Sequence, residues 1–251
     1  MKEIITITNH KGGSGKTTTS HAIGTGLHRQ GYKTLLIDLD AQSNLTFCTG
    51  IDKAPLTSME VMTRTATAQE ATLEIAEGLS IIPASPNLAG ADTIITEMGK
   101  EYRLREALAP LQNDYDYIII DTPPALNTLT VNALTTSDSV IIPAQADTFS
   151  LQGIGLLYDT LEAVRTYTNP ELKIKGILLT RYNKQTILSR DMKDNIQKVA
   201  DFLGTKIFET PIRESVAVRE AQATQQSLYD YAPKNNATAD YTRLIEEILA
   251  E

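Results

Sequence analysis

A single cysteine, Cys48, stands in 251 residues, so no disulfide can close within the chain and no CxxC pair is available to a metal. A reducing compartment, the cytoplasm, is the expectation that follows. Long apolar runs are also missing. No stretch approaches the ~20 residues that span a bilayer, and the N-terminal apolar run is only a strand's length, so no signal peptide is expected. Repeats, low-complexity tracts and linker-like composition shifts are absent. Positive charge is not in excess either. The formal net charge is −8, which gives no direct support to nucleic-acid binding. What remains is ordinary: 41% hydrophobic and 22% charged residues fit one globular domain over residues 1–251.

What is present is concentrated near the start. Ile4, Ile5 and Ile7 read as a buried strand, and Ala22, Ile23, Gly26 and Leu27 recur at helical spacing. Between them lies Lys11-Gly12-Gly13-Ser14-Gly15-Lys16-Thr17-Thr18. Strand, glycine loop, helix is the context that a phosphate-binding loop requires. Glycines let successive backbone N–H groups turn inward around phosphate oxygens, where a Cβ would obstruct them. The following helix aims its N-terminal amides at the same anion. Lys16 supplies a point charge for the terminal phosphates, and the Thr17 hydroxyl can ligate Mg²⁺.

In chain order, a first helix is expected from Lys16 to about Gln30 and a second strand over 33–38, with Asp40 just beyond its end. C-terminal strand ends carry the ligand site in parallel sheets, so Asp38 and Asp40 arrive beside the loop. Short helices are expected near 57–62 and 67–75, a strand over 79–83, and helices over 86–98 and 101–111. The apolar run Tyr117-Ile118-Ile119-Ile120 then delivers Asp121 at a strand end, the position that holds Mg²⁺ directly or through water. Pro123 and Pro124 stop that strand. Further expected elements are a helix over 127–134, a strand over 139–143, a helix over 151–167, a strand over 174–180, a helix over 189–203 and a last strand over 206–209. This alternation predicts an α/β fold: a doubly wound, mostly parallel sheet with helices on both faces. The final helix carries Tyr241, Leu244, Ile245, Ile248 and Leu249 on one face and Asp240, Glu246, Glu247 and Glu251 on the other. An acidic face suits docking on its own domain better than an anionic membrane.

The order K-G-G-x-G-K-T departs from the general G-x-x-x-x-G-K-[ST] pattern, with His10 where glycine would stand and Lys11 opening the loop. It resembles the deviant phosphate loop of the ParA/MinD family of dimeric ATPases. Asp38-Leu39-Asp40-Ala41-Gln42-Ser43-Asn44 and Asp121-Thr122-Pro123-Pro124 are similar to that family's two switches. The resemblance, which runs from Ile4 to Tyr241, implies ATP hydrolysis with Mg²⁺. It gives Lys11 a role in trans on the partner's nucleotide, much as an arginine finger acts. It makes Asp40 the positioner of the attacking water, places Asp38 and Asp121 with Thr17 around the metal, and gives Gly12, Gly13, Ser14, Gly15, Lys16, Thr17 and Thr18 to the nucleotide. Pro211 and Arg213 resemble the adenine-side loop, although the spacing over 214–219 departs by one residue from the family's form.

Three functions follow from the resemblance. One is a ParA-type partition ATPase of the short form, without an N-terminal DNA-binding domain. Its ATP-bound homodimer would bind double-stranded DNA nonspecifically on the nucleoid and be reset by a ParB-like partner. The second is a MinD-like positioning regulator on a membrane, disfavoured by the acidic last helix. The third is a metabolic enzyme or metallocluster carrier, against which Lys11 and the single cysteine count. Residues 173–219 hold ten Lys/Arg against five Asp/Glu, and Arg190 and Arg219 are the expected DNA contacts. Arg181, Lys184, Lys193, Lys198 and Arg213 stand in reserve.

Overall fold

The structure, a computed structural model, describes residues 1–183 and 187–250; the side chains of 187–190 lie outside that description. The chain opens with β1 (Glu3–Ile7), α1 (Lys16–Arg29), β2 (Thr34–Asp38), α2 (Asn44–Cys48), α3 (Ser58–Met62) and α4 (Ala68–Ala71). An edge hairpin of β3 (Leu73–Ala76) and β4 (Leu79–Ile82) precedes α5 (Ala91–Ile94), α6 (Arg103–Leu108), β5 (Tyr117–Asp121) and α7 (Thr128–Thr136). The second half comprises β6 (Ser139–Gln145), α8 (Thr148–Tyr167), β7 (Lys173–Thr180), α9 (Ile187–Phe202), α10 (Val216–Ala223), α11 (Leu228–Tyr231) and α12 (Asn236–Leu249).

The seven strands form one sheet in the order β3-β4-β2-β5-β1-β6-β7, parallel throughout except for β3 against β4. Alternation along the central strands separates two cores. Ile5 and Ile7 of β1 join Leu36 and Ile119 in a cluster with Ile23 and Leu27 of α1 and Tyr241, Leu244 and Ile245 of α12. Ile4, Leu35, Ile118 and Ile120 face the opposite way, against Leu104, Leu108, Leu129 and Ala133. A third cluster joins Val140 and Ile142 to Ile154, Leu157 and Ile196 under α8 and α9. Helices thus cover both faces, as the alternation predicted. Close approach is needed under α1, where a Cβ on Gly24 would lie 2.2 Å from Leu36 Cδ2.

Register explains why chemistry gathers at one end. Ile7 pairs with Asp121, and Asp121 with Asp38, so three strands finish level with one another. The loop after β1 rises between them, at the point where the sheet's connections diverge.

Three expected elements differ. The helix expected over 67–75 stops at Ala71, held by a capping box between Thr67 and Glu70. Leu73 and Ile75 then alternate with outward Glu74 as an edge strand. The helix expected over 86–98 is a 3-10 turn, Pro86–Gly90, followed by one α-turn, because Gly90 breaks the run. The expected strand 206–209, confined between Gly204 and Pro211, makes a single bridge, Ile177 to Ile207. Phe208 instead packs on Gly176, whose absent Cβ leaves it room. α10 was not foreseen at all. The last helix docks on its own domain through buried Tyr241, Leu244, Ile245 and Ile248. Asp240, however, is buried rather than on the polar face, because Arg213 and Arg243 both pair with it. Among the described residues, no helix is long and apolar enough to cross a membrane.

Candidate functional site: a phosphate loop between two acidic strand ends

The loop is an open cradle. Gly13 and Gly15 have φ of +72° and +95°, backbone that side-chain-bearing residues seldom adopt. Nothing lies within 4 Å of where a Cβ on Gly12 or Gly13 would point. Asn9 fixes the approach: its Oδ1 accepts from the Lys11 N–H (3.0 Å) while its amide donates to Pro143 O (2.7 Å). The far side is tied by Thr180, whose hydroxyl donates to Ser14 O at 2.7 Å. The Ser14 hydroxyl is buried with no partner among the described residues. An orphaned donor in a cradle that a Cβ would fill is what a bound phosphate group satisfies.

Behind the cradle stand the acids. Both oxygens of fully buried Asp121 accept hydroxyl donors, Thr17 at 2.7 Å and Ser20 at 3.0 Å. Burial pushes the Asp121 carboxyl up to about 8, reinforced by the neighbouring Asp38 charge and opposed by those hydroxyls and by Lys16. Burial likewise raises Asp38 to about 6. Asp38 engages both oxygens on its own switch, taking the Asp40 N–H at 3.0 Å, the Thr46 N–H at 2.9 Å and the Thr46 hydroxyl at 2.8 Å. It anchors the segment after β2, and no Asp38 oxygen is left without a donor. Burial lowers Lys16, with Asp121 and Asp40 opposing, and its ammonium donates to Lys11 O at 3.4 Å. Asp40 is half-buried and lines a cleft of about 480 Å³ with Gly12, Gly13, Gly15, Lys16, Thr17 and Thr18. Such a position suits the handling of a water near the terminal phosphate. No cluster of three His, Cys, Asp or Glu side chains able to hold a metal exists among the described residues. A Mg²⁺ here would rest on Thr17 and Asp121, with phosphate oxygens completing its shell.

The remaining expected residues are placed unevenly. Lys11 turns inward: its ammonium forms an ion pair with Asp147 and donates to Gln145 Oε1 (3.2 Å) and Ser150 Oγ (3.4 Å). Gln145 also donates to Gly13 O at 2.8 Å, bracing the loop from β6. Arg213 reaches the recess beside Gly15 and Thr18, but its guanidinium is clamped on Asp240 at 2.8 and 2.6 Å. Pro211 lies on a separate outer cleft, and Ile212 takes its place beside the loop. Arg219 is exposed at the rim of both cavities. The Arg190 side chain and Lys184 lie outside the described residues.

Sequence reasoning missed Gln145, the last residue of β6, and Asp147 and Ser150 just beyond it, all findable by the strand-end rule. It also missed Ser20, one helical turn after Lys16, and Gln222, whose amide donates to Thr18 Oγ1 at 2.9 Å.

Comparison with known proteins agrees with this geometry. A family model described as an AAA domain matches residues 2–174. The sporulation initiation inhibitor protein Soj of Bacillus subtilis is 37% identical over 254 residues, covering 100% of this chain and 99% of Soj. The chain belongs to the ParA-type family of P-loop ATPases. The chromosome partitioning protein ParA of Caulobacter vibrioides is 36% identical, with 98% of this chain and 94% of that one covered. Among solved structures, an ATP complex of McdA from Cyanothece superposes with a TM-score of 0.88 at 26% identity, covering 98% and 96%. A Mycobacterium smegmatis protein described as cobyrinic acid a,c-diamide synthase, with bound ADP and magnesium, gives 0.86 at 35% identity, covering 99% and 94%. As a ParA-type ATPase, the chain has its glycine loop, Asp38, Asp40 and Asp121 gathered at one end of the sheet.

Proposed function

We propose that this ATPase is a partition switch: it binds Mg²⁺ and ATP, pairs with a second copy, holds DNA without sequence preference and resets by hydrolysis. The observation that carries this reading is one open glycine cradle whose cleft is lined by Lys16 and Asp40, with Asp121 hydrogen-bonded to Thr17 behind it. The cradle's N–H groups and Lys16 bind the phosphates, and Asp40 orients the attacking water. Thr17 and Asp121 would hold Mg²⁺, which would supply charge neutralisation at the phosphate oxygens. Lys11 leaves its own chain's Asp147 and reaches the partner's nucleotide, so the competent site needs two copies. DNA contact is assigned to Arg219 and Arg190 on the basic segment, and a ParB-like protein accelerates the reset on the nucleoid. Similarity to Soj and ParA across almost the entire chain supports the reading. A small-molecule synthase, the description that one structural relative carries, has no use for a lysine acting across a dimer.

The test is phosphate release with Mg²⁺ and ATP, measured against protein concentration. Turnover per chain that rises with concentration, and is lost in Lys11→Ala, supports a paired site. Concentration-independent turnover that survives Lys11→Ala contradicts it.

A further inference from the structure

Where β7 ends, the chain is held on both sides of one residue. Thr180 is fastened to the loop by its bond to Ser14 O, and its Cγ2 lies 3.5 Å from where a Cβ on Gly15 would be. Tyr182 is fastened the other way, donating its N–H to Ile212 O at 2.9 Å. Arg181 between them has φ +49°, the left-handed region that a long side chain enters only when its neighbours force it. That backbone aims Arg181 at a particular place. It lines the phosphate cleft with Lys16, Thr17 and Asp40, and also the recess of about 90 Å³ walled by Ile212, Val218 and Tyr241.

Four residues line both cavities: Gly15, Thr18, Arg181 and Gln222. Gln222 is occupied by Thr18, and Arg181 is the only charged member. Its guanidinium has no hydrogen bond or ion pair among the described residues. The cation that the sequence suggested for this place, Arg213, is instead clamped on buried Asp240. An unpaired, strained arginine at the neck between a phosphate cradle and a part-apolar recess has a simple chemical use.

We infer that Arg181 is a nucleotide-holding residue, its guanidinium meeting the α-phosphate where a nucleotide passes from the cradle to the recess. The inference rests on the reading of this site as an ATP site. The α-phosphate is common to ATP and ADP, so Arg181 sets affinity and ADP release for both alike rather than sensing the γ-phosphate. Loss of one charge-assisted hydrogen bond at a half-open site corresponds to about tenfold in affinity.

The experiment is titration of mant-ADP and mant-ATP, with Mg²⁺, into the full chain and into Arg181→Asn, Arg181→Gly and Arg181→Lys. Asparagine and glycine both accept left-handed backbone, so the fold is preserved. Expected are losses of about tenfold, equal for the two nucleotides, with Arg181→Lys keeping part of the affinity. Arg181→Gly should also melt no lower than the parent without nucleotide while gaining less from ADP, a divergence that a merely structural role would not give. Wild-type affinity for both nucleotides in Arg181→Asn and Arg181→Gly overturns the inference, and DNA binding lost in those variants instead would reassign Arg181 to DNA. A parent protein that binds no mant-ADP, and is indistinguishable from Lys16→Ala, overturns the ATP-site reading itself.

Discussion

The Lys11 ammonium and the Asp147 carboxylate form an ion pair within one chain, and the same carboxylate caps α8 by accepting the Ser150 N–H at 2.8 Å. Desolvation works to raise Asp147, yet the Lys11 and Ser150 donors hold it below the usual carboxylate value. Under the proposed paired site, Lys11 has to give up this ion pair before it can reach the partner's nucleotide.

Asp147→Asn keeps the helix cap, since asparagine caps as well as aspartate, but releases Lys11. The two side chains are 19% and 31% exposed, so the ion pair contributes no more than about 1 kcal/mol. The ATP-dependent dimer should tighten by roughly two- to fivefold, read by sedimentation equilibrium. A weaker dimer would mean that Asp147 serves the paired state instead.

Asp40→Ala should bind mant-ATP like the parent and lose at least about tenfold in phosphate release, as expected for a residue that orients the nucleophile. Parent-like turnover would remove Asp40 from that role.

Gly153 brings α8 against the loop: a Cβ there would lie 2.9 Å from Asn9 Oδ1 and 3.3 Å from the Lys11 nitrogen. Gly153→Ala gains ~1 kcal/mol of helix propensity but overpacks a fixed contact at about 1–3 kcal/mol. The second effect wins. A lower urea midpoint together with weaker nucleotide binding is expected, and an unchanged midpoint would show that the contact yields freely.

His21, buried on α1 behind the cradle, is pulled down to about 4 by desolvation. Its folded form excludes a proton that the unfolded chain binds below its ordinary value near 6.5. Its contribution is therefore complete above ~6.5 and lost as pH falls towards 4. Between pH 7 and pH 5 the parent should lose about 2 kcal/mol that His21→Gln does not. Urea unfolding at the two pH values checks this, and equal losses would contradict it.

The loop and its acids were legible because their residue types follow from local rules. Glycines are needed for left-handed backbone, and aspartates at strand ends arrive at the ligand edge wherever the sheet is parallel. Asp147 was not legible as Lys11's partner, because 136 residues separate them and only the β6 position brings them together. Asp240 was misread for a related reason. Helical periodicity put it among polar neighbours, while two arginines allow it to be buried. β3 escaped because four residues of alternation, Leu73 to Ala76, are too short to outweigh the helical start at Thr67.

The central claim is a DNA grip that exists only in the ATP-bound pair. If ~4–6 phosphates are neutralised, log affinity should fall against log salt with a slope of about −4 to −5. The direct measurement is a mobility shift on double-stranded DNA of arbitrary sequence at two salt concentrations, with ATP, ADP and no nucleotide, for the parent and Arg219→Glu. The account predicts a shift with ATP alone, steeply weakened by salt and lost in Arg219→Glu while ATP-dependent pairing persists. No ATP-specific shift at low salt, or one indifferent to Arg219→Glu and to salt, would contradict it.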